Sequence, residues 1–150
     1  MNAGSEQLLL DTNVVVHLFR GKATGESIDR AFAIRTRRER PLLSVVSVGE
    51  LHSLARGWGW GEKKIEALRT LISELVVVDI QRAPILDRYA EIDAFCKANG
   101  FQLGNNDTWI AATAAATGAL LLTCDKDFDP LDGRFLRRHL VAPLPSRPTP

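Results

Sequence analysis

Short apolar runs alternate with longer amphipathic segments along this chain. Four runs have the continuous apolar character of buried strands, and they cover residues 8–10, 42–46, 76–78 and 120–123. Between these runs, apolar side chains recur at helical spacing. Strands that alternate with helices favour right-handed βαβ crossovers, so the pattern predicts an α/β fold with a parallel sheet covered on both faces.

The helix predictions rest on apolar spacing and on residues that begin or end helices. Asp11 or Thr12 is expected to cap a first helix, and Ser47 with Glu50 has the spacing of a capping box for the third. A loop is predicted at residues 21–25 and a short last strand at residues 140–141. The other predicted helices cover residues 27–38, 62–75, 83–99 and about 107–117.

The composition supports a single folded domain. Hydrophobic residues make up 45% of the 150 positions and charged residues 25%, which is typical of globular proteins. No internal repeat or linker interrupts the pattern. We predict one domain over residues 1–142 and an irregular, proline-rich tail over residues 143–150.

Charge and cysteine content limit the possible functions and compartments. The formal net charge is +1, so nucleic acid would have to be bound by local basic patches. Cys96 and Cys124 lie in apolar runs without a metal-ligand spacing, which predicts reduced thiols. Residues 1–7 do not resemble a signal peptide, and no apolar run is long enough to span a membrane. We expect a cytoplasmic protein with no membrane association.

Carboxylates follow the predicted strands. Asp11 comes directly after the first strand, Glu50 one helical turn past the second, and Asp125 directly after the fourth. Asp107 begins a helix after a polar turn. Because the carboxyl ends of parallel strands meet at one edge of a sheet, we expect the four side chains to converge there.

Convergent carboxylates repel one another, and a bound cation is the simplest means of neutralising them. With oxygen ligands and no convergent His or Cys, the ion is predicted to be Mg²⁺ or Mn²⁺, which suits phosphodiester hydrolysis. Each residue alone also has a structural interpretation. Asp11 or Asp107 could be a helix cap, Glu50 half of a capping box, and Asp125 part of a solvated turn.

Four segments together resemble the PIN-domain nucleases, and in particular the toxins of VapBC-type toxin-antitoxin modules. The resemblance spans about residues 7–142. The matching segments are Leu-Leu-Leu-Asp-Thr-Asn at 8–13, Ser-Val-Gly-Glu-Leu at 47–51, Asn-Asp-Thr-Trp-Ile-Ala-Ala-Thr-Ala at 106–114, and Leu-Thr-Cys-Asp-Lys-Asp-Phe at 122–128.

This resemblance implies a three-layer α/β/α sandwich and a metal-dependent endoribonuclease that cleaves structured RNA such as tRNA or rRNA. It also implies a homodimer and inhibition by a cognate antitoxin, with which the toxin could form a hetero-oligomer. The implied catalytic and metal-binding residues are Asp11, Glu50, Asp107 and Asp125, with Asp127 as a further or alternative ligand. Asn13 and Thr123 match positions that support the site by hydrogen bonding.

RNA has to approach an acidic site, so basic residues are expected beside it. The candidates are Arg20, Lys22, Arg35, Arg37 and Arg38, although the cluster that ends at Arg40 fits a solvated helix face equally well. A second basic cluster could pair with an acidic antitoxin segment; it contains Arg134, Arg137, Arg138 and His139. His17, His52 and His139 are interpreted as structural.

The segment Gly57-Trp58-Gly59-Trp60-Gly61 has no counterpart in the resemblance. Its tryptophans could pack at the edge of the core or in a dimer contact. Alternatively, they could form an exposed platform for antitoxin or for RNA bases. The sequence leaves both interpretations open.

Three other functions remain as alternatives. A stand-alone RNA-processing nuclease would have the same site. A phosphatase with Asp11 as covalent nucleophile usually needs a second Asp two residues later, where this chain has Asn13. A non-catalytic PIN-like binding module typically lacks one or more acidic positions, whereas all four are present here.

Overall fold

A parallel sheet forms the centre of the computed structural model, which describes residues 6–145. Its strands within this range are β1 (Leu8–Leu10), β2 (Leu42–Ser44), β3 (Val76–Val78), β4 (Leu120–Thr123) and β5 (Arg137–Leu140). They lie in the order β3-β2-β1-β4-β5, and every neighbouring pair is parallel. The central strand β1 is fully buried, as its continuous apolar sequence predicts.

Helices cover both faces of this sheet. They are α1 (Thr12–Arg20), α2 (Ala23–Phe32), α3 (Val45–Gly57), α4 (Glu62–Ser73), α5 (Ala83–Asn99) and α6 (Asn105–Thr117), and a 3₁₀ helix covers Lys126–Leu131. Because successive strand residues point to opposite faces, Leu8 and Leu10 join one core with α1, α3 and α4. Leu9 joins a second core with α5 and α6. The predicted α/β/α sandwich is confirmed.

The start of α3 differs from its prediction. Strand β2 ends at Ser44, whose side chain accepts a hydrogen bond from the Val46 N–H at 3.2 Å and so caps the helix. The expected capping box at Ser47 and Glu50 is therefore wrong. Ser47 lies inside the helix, fully buried, with its hydroxyl 2.9 Å from that of Thr12.

The second helix begins and ends earlier than predicted. Residues 23–25 belong to α2 rather than to a loop, and Gly25 packs directly against the backbone of α1. A Cβ atom at Gly25 would lie 2.2 Å from the carbonyl oxygen of His17. Helix α2 ends at Phe32, because Ala33 adopts the left-handed conformation. Residues 33–38 consequently do not continue the helix.

The last strand also differs from its prediction, since β5 begins at Arg137 rather than at residue 140. Of the predicted tail, only residues 143–145 are described, and they contain no helix or strand. The Leu144 N–H donates to the Thr24 hydroxyl at 2.9 Å, so this segment contacts α2. Predictions for residues 1–5 and 146–150 lie outside the described residues. Within residues 6–145, no helix combines the length and hydropathy needed to cross a bilayer.

Candidate active site

Asp11 lies at the carboxyl end of the central strand, and both of its carboxylate oxygens accept hydrogen bonds. The N–H of Thr12 donates to Oδ1 at 2.8 Å, so Asp11 caps α1. The hydroxyl of Thr123, at the end of β4, donates to Oδ2 at 2.6 Å. Asp11 is only 3% exposed. The helix-cap interpretation is therefore correct, and the cap and the Thr123 hydroxyl together fix the orientation of the carboxylate.

Glu50 projects from the second turn of α3 toward α1. The Thr12 hydroxyl donates to Glu50 Oε1 at 2.8 Å. Because this hydroxyl also lies within hydrogen-bonding distance of Ser47, the start of α1 is tied to two positions on α3. The contact holds the Glu50 carboxylate beside the end of β1.

The segment after β4 is organised by side chain to backbone hydrogen bonds. The Asp125 N–H donates to the Thr123 hydroxyl at 2.9 Å, and the Asp127 N–H donates to Asp125 Oδ1 at 2.8 Å. Asn13 Oδ1 accepts from the Cys124 N–H at 3.2 Å. Asn13 thus connects the first turn of α1 to Cys124, and Thr123 connects the end of β4 to Asp11.

These elements enclose a cleft of about 370 Å³ that contains all four predicted carboxylates, Asp11, Glu50, Asp107 and Asp125, in its lining. Asp107 reaches it from the first turn of α6. On one side of the cleft, carboxylate oxygens of Asp107, Asp125 and Asp127 all lie within 4.8 Å of one another. The structure thus brings the predicted residues together, with Asp127 next to Asp107 of α6 and to Asp125, which follows β4.

Burial and mutual repulsion raise the pKa of the central carboxyl groups. The pKa of Asp107 rises to about 7, first because the group is desolvated and then because Asp11 and Asp125 lie nearby. Burial likewise raises the pKa of Asp11 against the opposing effect of its hydrogen bonds. Among residues 6–145, no Lys or Arg forms an ion pair with the four carboxylates. Arg20, which also lines the cleft, is therefore not paired with any of them.

The donor set fits a hard divalent cation. The clustered ligand atoms are carboxylate oxygens, which Mg²⁺ and Mn²⁺ prefer, and a cation would relieve the repulsion that raises the pKa of Asp107. Cys124 lies near these groups, but burial raises the pKa of its thiol to about 11. The thiol stays protonated near neutral pH and is a poor ligand for such an ion.

The raised pKa of Asp107 predicts how the stability of the metal-free protein depends on pH. Between about pH 4 and pH 7 the folded protein binds more protons than the unfolded chain, so the free energy of unfolding falls as the pH rises. Thermal unfolding in EDTA should therefore give a lower Tm at pH 8 than at pH 5. The Asp107→Asn variant should show a flatter profile. A wild-type Tm that rises between pH 5 and pH 8 would contradict this assignment.

The basic candidates for RNA contact differ in position. Arg20 is exposed and lines the cleft, and Lys22 is exposed just after α1. Arg35 and Arg38 are exposed in the loop after α2, and Arg35 lies 3.9 Å from both Asp29 and Glu74. Of this group, only Arg20 contributes to the cleft.

Arg37 differs from the other basic candidates because it is buried, with 8% of its surface exposed. Its guanidinium donates to the carbonyl oxygens of Phe32 at 2.7 Å and Glu39 at 3.3 Å, and also to that of Glu6. These bonds satisfy carbonyl groups around the end of α2. The burial argues against the predicted RNA contact and indicates a structural role.

The second basic cluster is partly engaged within the protein. Arg137 pairs with Glu6, and Arg138 pairs with Asp129 at 3.0 Å. The guanidinium of Arg134 lies over the Phe95 ring at 4.3 Å, and His139 packs edge-on against Phe32. Of the other two histidines, His17 lines the acidic cleft, a position that its spacing in the sequence did not indicate.

Besides His17, other residues that line the cleft or support its lining were not assigned to it from the sequence. Thr12 orients Glu50, Ser47 anchors Thr12, and Trp58 lines the cleft beside Arg20. The only signal in the sequence was the unusual glycine and tryptophan segment. Trp60, by contrast, stacks on Phe19 at 4.9 Å and packs against the core, as one of the two interpretations of this segment expected.

Comparison with known proteins identifies the family of this chain. The PIN domain family matches residues 8–134. Ribonuclease VapC1 of Haemophilus influenzae (strain R2866) is 31% identical over 117 residues, which are 77% of this chain and 84% of that protein. Ribonuclease VapC5 of Mycobacterium tuberculosis is 30% identical over 129 residues, which cover 83% and 87% of the two chains. The structure of VapBC-1 from nontypeable Haemophilus influenzae matches with a TM-score of 0.73 and 26% identity, over 89% of this chain and 96% of that one. This chain therefore belongs to the PIN-domain family and, within it, to the VapC type.

Proposed function

We propose that this chain is the toxin of a VapBC-type toxin-antitoxin module and hydrolyses phosphodiester bonds in RNA, with Mg²⁺ or Mn²⁺ as its cofactor. The observation that carries the proposal is the cleft in which Asp11, Glu50, Asp107 and Asp125 converge, none of them in an ion pair with a Lys or Arg of residues 6–145. The relatives named as ribonucleases support the same activity.

Asp107, Asp125 and Asp127 would hold the ion together with Asp11, and Glu50 would complete the acidic lining. When bound, a divalent cation supplies positive charge that polarises the scissile phosphate and favours deprotonation of an attacking water. Such chemistry requires no covalent nucleophile from the protein. It therefore does not depend on the second aspartate that a phosphatase would need at position 13.

The hydrogen bonds of the site keep its carboxylates in place before the substrate arrives. Each oxygen of Asp11 accepts one bond from the protein and retains a second lone pair for a ligand. Thr12 restrains Glu50 in the same way. Since the groups are held by the ends of rigid strands and helices, little reorganisation is needed during the reaction.

The partners follow from the same proposal. The substrate is RNA, with tRNA or rRNA as the proposed class, and the solved VapBC complexes support a cognate antitoxin as the protein partner. We further propose a homodimer that also assembles with antitoxin in the cytoplasm. Size-exclusion chromatography with light scattering, on the toxin alone and after co-expression with its antitoxin, measures both assemblies.

The metal requirement is tested by incubating the purified protein with total RNA in Mg²⁺, in Mn²⁺ and in excess EDTA. We expect discrete cleavage with either ion and none in EDTA, because the carboxylates are negative like the phosphate and only a bound cation supplies the positive charge that offsets it. Mapping the new 5′ ends identifies the RNA and the cleavage sequence. Cleavage that continues unchanged in EDTA would contradict the proposed mechanism.

A further inference from the structure

An exposed tryptophan lies on the rim of the acidic cleft. Trp58 is 44% exposed and lines the same cleft as Asp11, Glu50, Asp107 and Asp125. Most large aromatic side chains bury a greater share of their surface, because contact of the ring with water is unfavourable. A tryptophan left exposed beside a reactive site is therefore a candidate for contact with the ligand.

The backbone around Trp58 is held by hydrogen bonds to the end of α3. The N–H of Trp58 donates to the Leu54 carbonyl at 2.9 Å, and the N–H of Trp60 donates to that of Ala55 at 3.0 Å. Gly59, between the two tryptophans, has a φ of +70°, which disfavours other residue types. The turn is thus a defined structure, and it sets the direction of the exposed ring.

The ring of Trp58 is also supported from the side. The ring centroid of Trp60 lies 5.3 Å away, and Trp60 itself stacks on Phe19. Because Phe19 and Trp60 pack against the hydrophobic core, Trp58 is connected to the interior through a series of rings. A preorganised aromatic surface of this kind loses little conformational entropy when it binds a ligand.

A cation accompanies the exposed ring. The guanidinium carbon of Arg20 lies 5.0 Å from the centroid of Trp58, and Arg20 forms no ion pair within residues 6–145. The side chain is exposed at the end of α1. Its planar guanidinium lies over the ring in the position that a nucleic acid base would take on stacking. Its positive charge at the cleft can pair with a phosphate.

We propose that Trp58 stacks an unpaired base of the RNA substrate and that Arg20 moves from the ring to contact a phosphate next to that base. The inference rests on the proposed ribonuclease function and assigns to that site the residues that contact one base and its neighbouring phosphate. A base in a duplex is stacked between its neighbours and cannot present its face to the ring. An aromatic ring beside an exposed arginine that forms no ion pair within residues 6–145, in the cleft that the carboxylates line, favours a nucleotide over a peptide as occupant.

The first test compares steady-state cleavage of a short single-stranded RNA by the wild-type protein and its variants. Trp58→Ala should raise KM about tenfold, in line with the loss of one stacked base, with kcat little changed. Trp58→Phe should restore most of the affinity, since it keeps an aromatic face. Phe101→Ala is the matched control, because Phe101 is 41% exposed and does not line the cleft, and it should leave KM unchanged.

The second test removes the base instead of the ring. Oligonucleotides with a single abasic position near the cleavage site should include one that raises the KM of the wild-type protein about tenfold. The same oligonucleotide should have no added effect on Trp58→Ala, because the two changes remove one interaction. Annealing a complementary strand over that position should likewise raise the KM of the wild type. The arms with the wild-type protein test the proposal even if Trp58→Ala does not fold.

The outcomes separate this inference from the function on which it rests. If the wild type cleaves RNA but KM is unaffected by Trp58→Ala and by every abasic position, the inference is overturned. Trp58 would then contact a protein partner or contribute to packing within the protein. If the wild type cleaves no RNA with Mg²⁺ or Mn²⁺, the proposed function fails and the inference fails with it. The Arg20→Gln substitution should also lower the magnitude of the slope of the logarithm of the RNA binding constant against the logarithm of the salt concentration by about one, the value for one phosphate contact.

Discussion

We expect the Asp107→Asn substitution to lower kcat for RNA cleavage by about a thousandfold or more and to leave the protein folded. The change keeps the size of the side chain but removes one of the three carboxylates that lie within 4.8 Å of one another. An amide oxygen is a weaker ligand for Mg²⁺ than a carboxylate, so the loss should appear in chemistry and in metal affinity together. Single-turnover cleavage and calorimetric titration with Mg²⁺ measure the two effects separately.

A matched variant controls for the change in net charge. Asp93→Asn makes the same substitution on α5, where the carboxylate pairs with the exposed Lys97 at 2.9 Å. Exposed pairs of this kind contribute little to stability, and Asp93 does not line the cleft, so activity should be unchanged. Full activity in Asp107→Asn would refute the assigned site. The metal-free variant should also be more stable than the wild type at pH 8, because a repelled carboxylate has been removed.

Among replacements of helical glycines by alanine, Gly25→Ala is expected to destabilise the protein most. The added Cβ would lie 2.2 Å from the His17 carbonyl oxygen and 3.3 Å from the Cα of Leu18, both of them backbone atoms of α1. Since backbone cannot move aside as a flexible side chain can, α1 and α2 must separate. We expect a loss of about 2 to 4 kcal/mol in the free energy of unfolding, or about 5 to 10 °C in Tm.

Gly49→Ala supplies the control within another helix. Gly49 lies in α3 with nothing within 4 Å of its would-be Cβ atom. The substitution should therefore stabilise the protein by about 0.5 to 1 kcal/mol, the ordinary gain from replacing a helical glycine. Urea unfolding of both variants gives the comparison. Equal effects at the two positions would show that the contact between α1 and α2 is not the cause.

The strands and the aspartates that follow them were predictable for a common physical reason. A parallel strand buried on both faces must be apolar throughout, so a run such as Leu8–Leu10 is recognised by its composition, and its end by the first charged residue. Asp11 and Asp125 were located in this way. Asp107 follows no strand, and it was identified from the predicted start of a helix. Its closeness to Asp127 depends on the conformation of the turn after β4, which the sequence pattern does not specify.

Several features could not be predicted because they depend on contacts distant in sequence. Ser44 and Ser47 are both plausible caps, and only the packing of Ser47 against Thr12 shows which of them lies inside the helix. Arg35, Arg37 and Arg38 form one basic run, yet only Arg37 is buried and bonded to backbone carbonyls. The early start of α2 depends on Gly25, whose lack of a side chain matters only where α1 lies against it.

The bond from Thr123 to Asp11 joins residues 112 positions apart, and it has a consequence for the chain during its synthesis. The central strand β1 is made first, but its neighbour β4 and the aspartates that follow it are made near the end. A nascent or prematurely terminated chain that lacks β4 has an Asp11 without its hydroxyl partner and lacks Asp125 and Asp127. On the proposed function, we therefore expect that most of the protein is made before the site is complete, and that fragments which lack β4 do not cleave RNA.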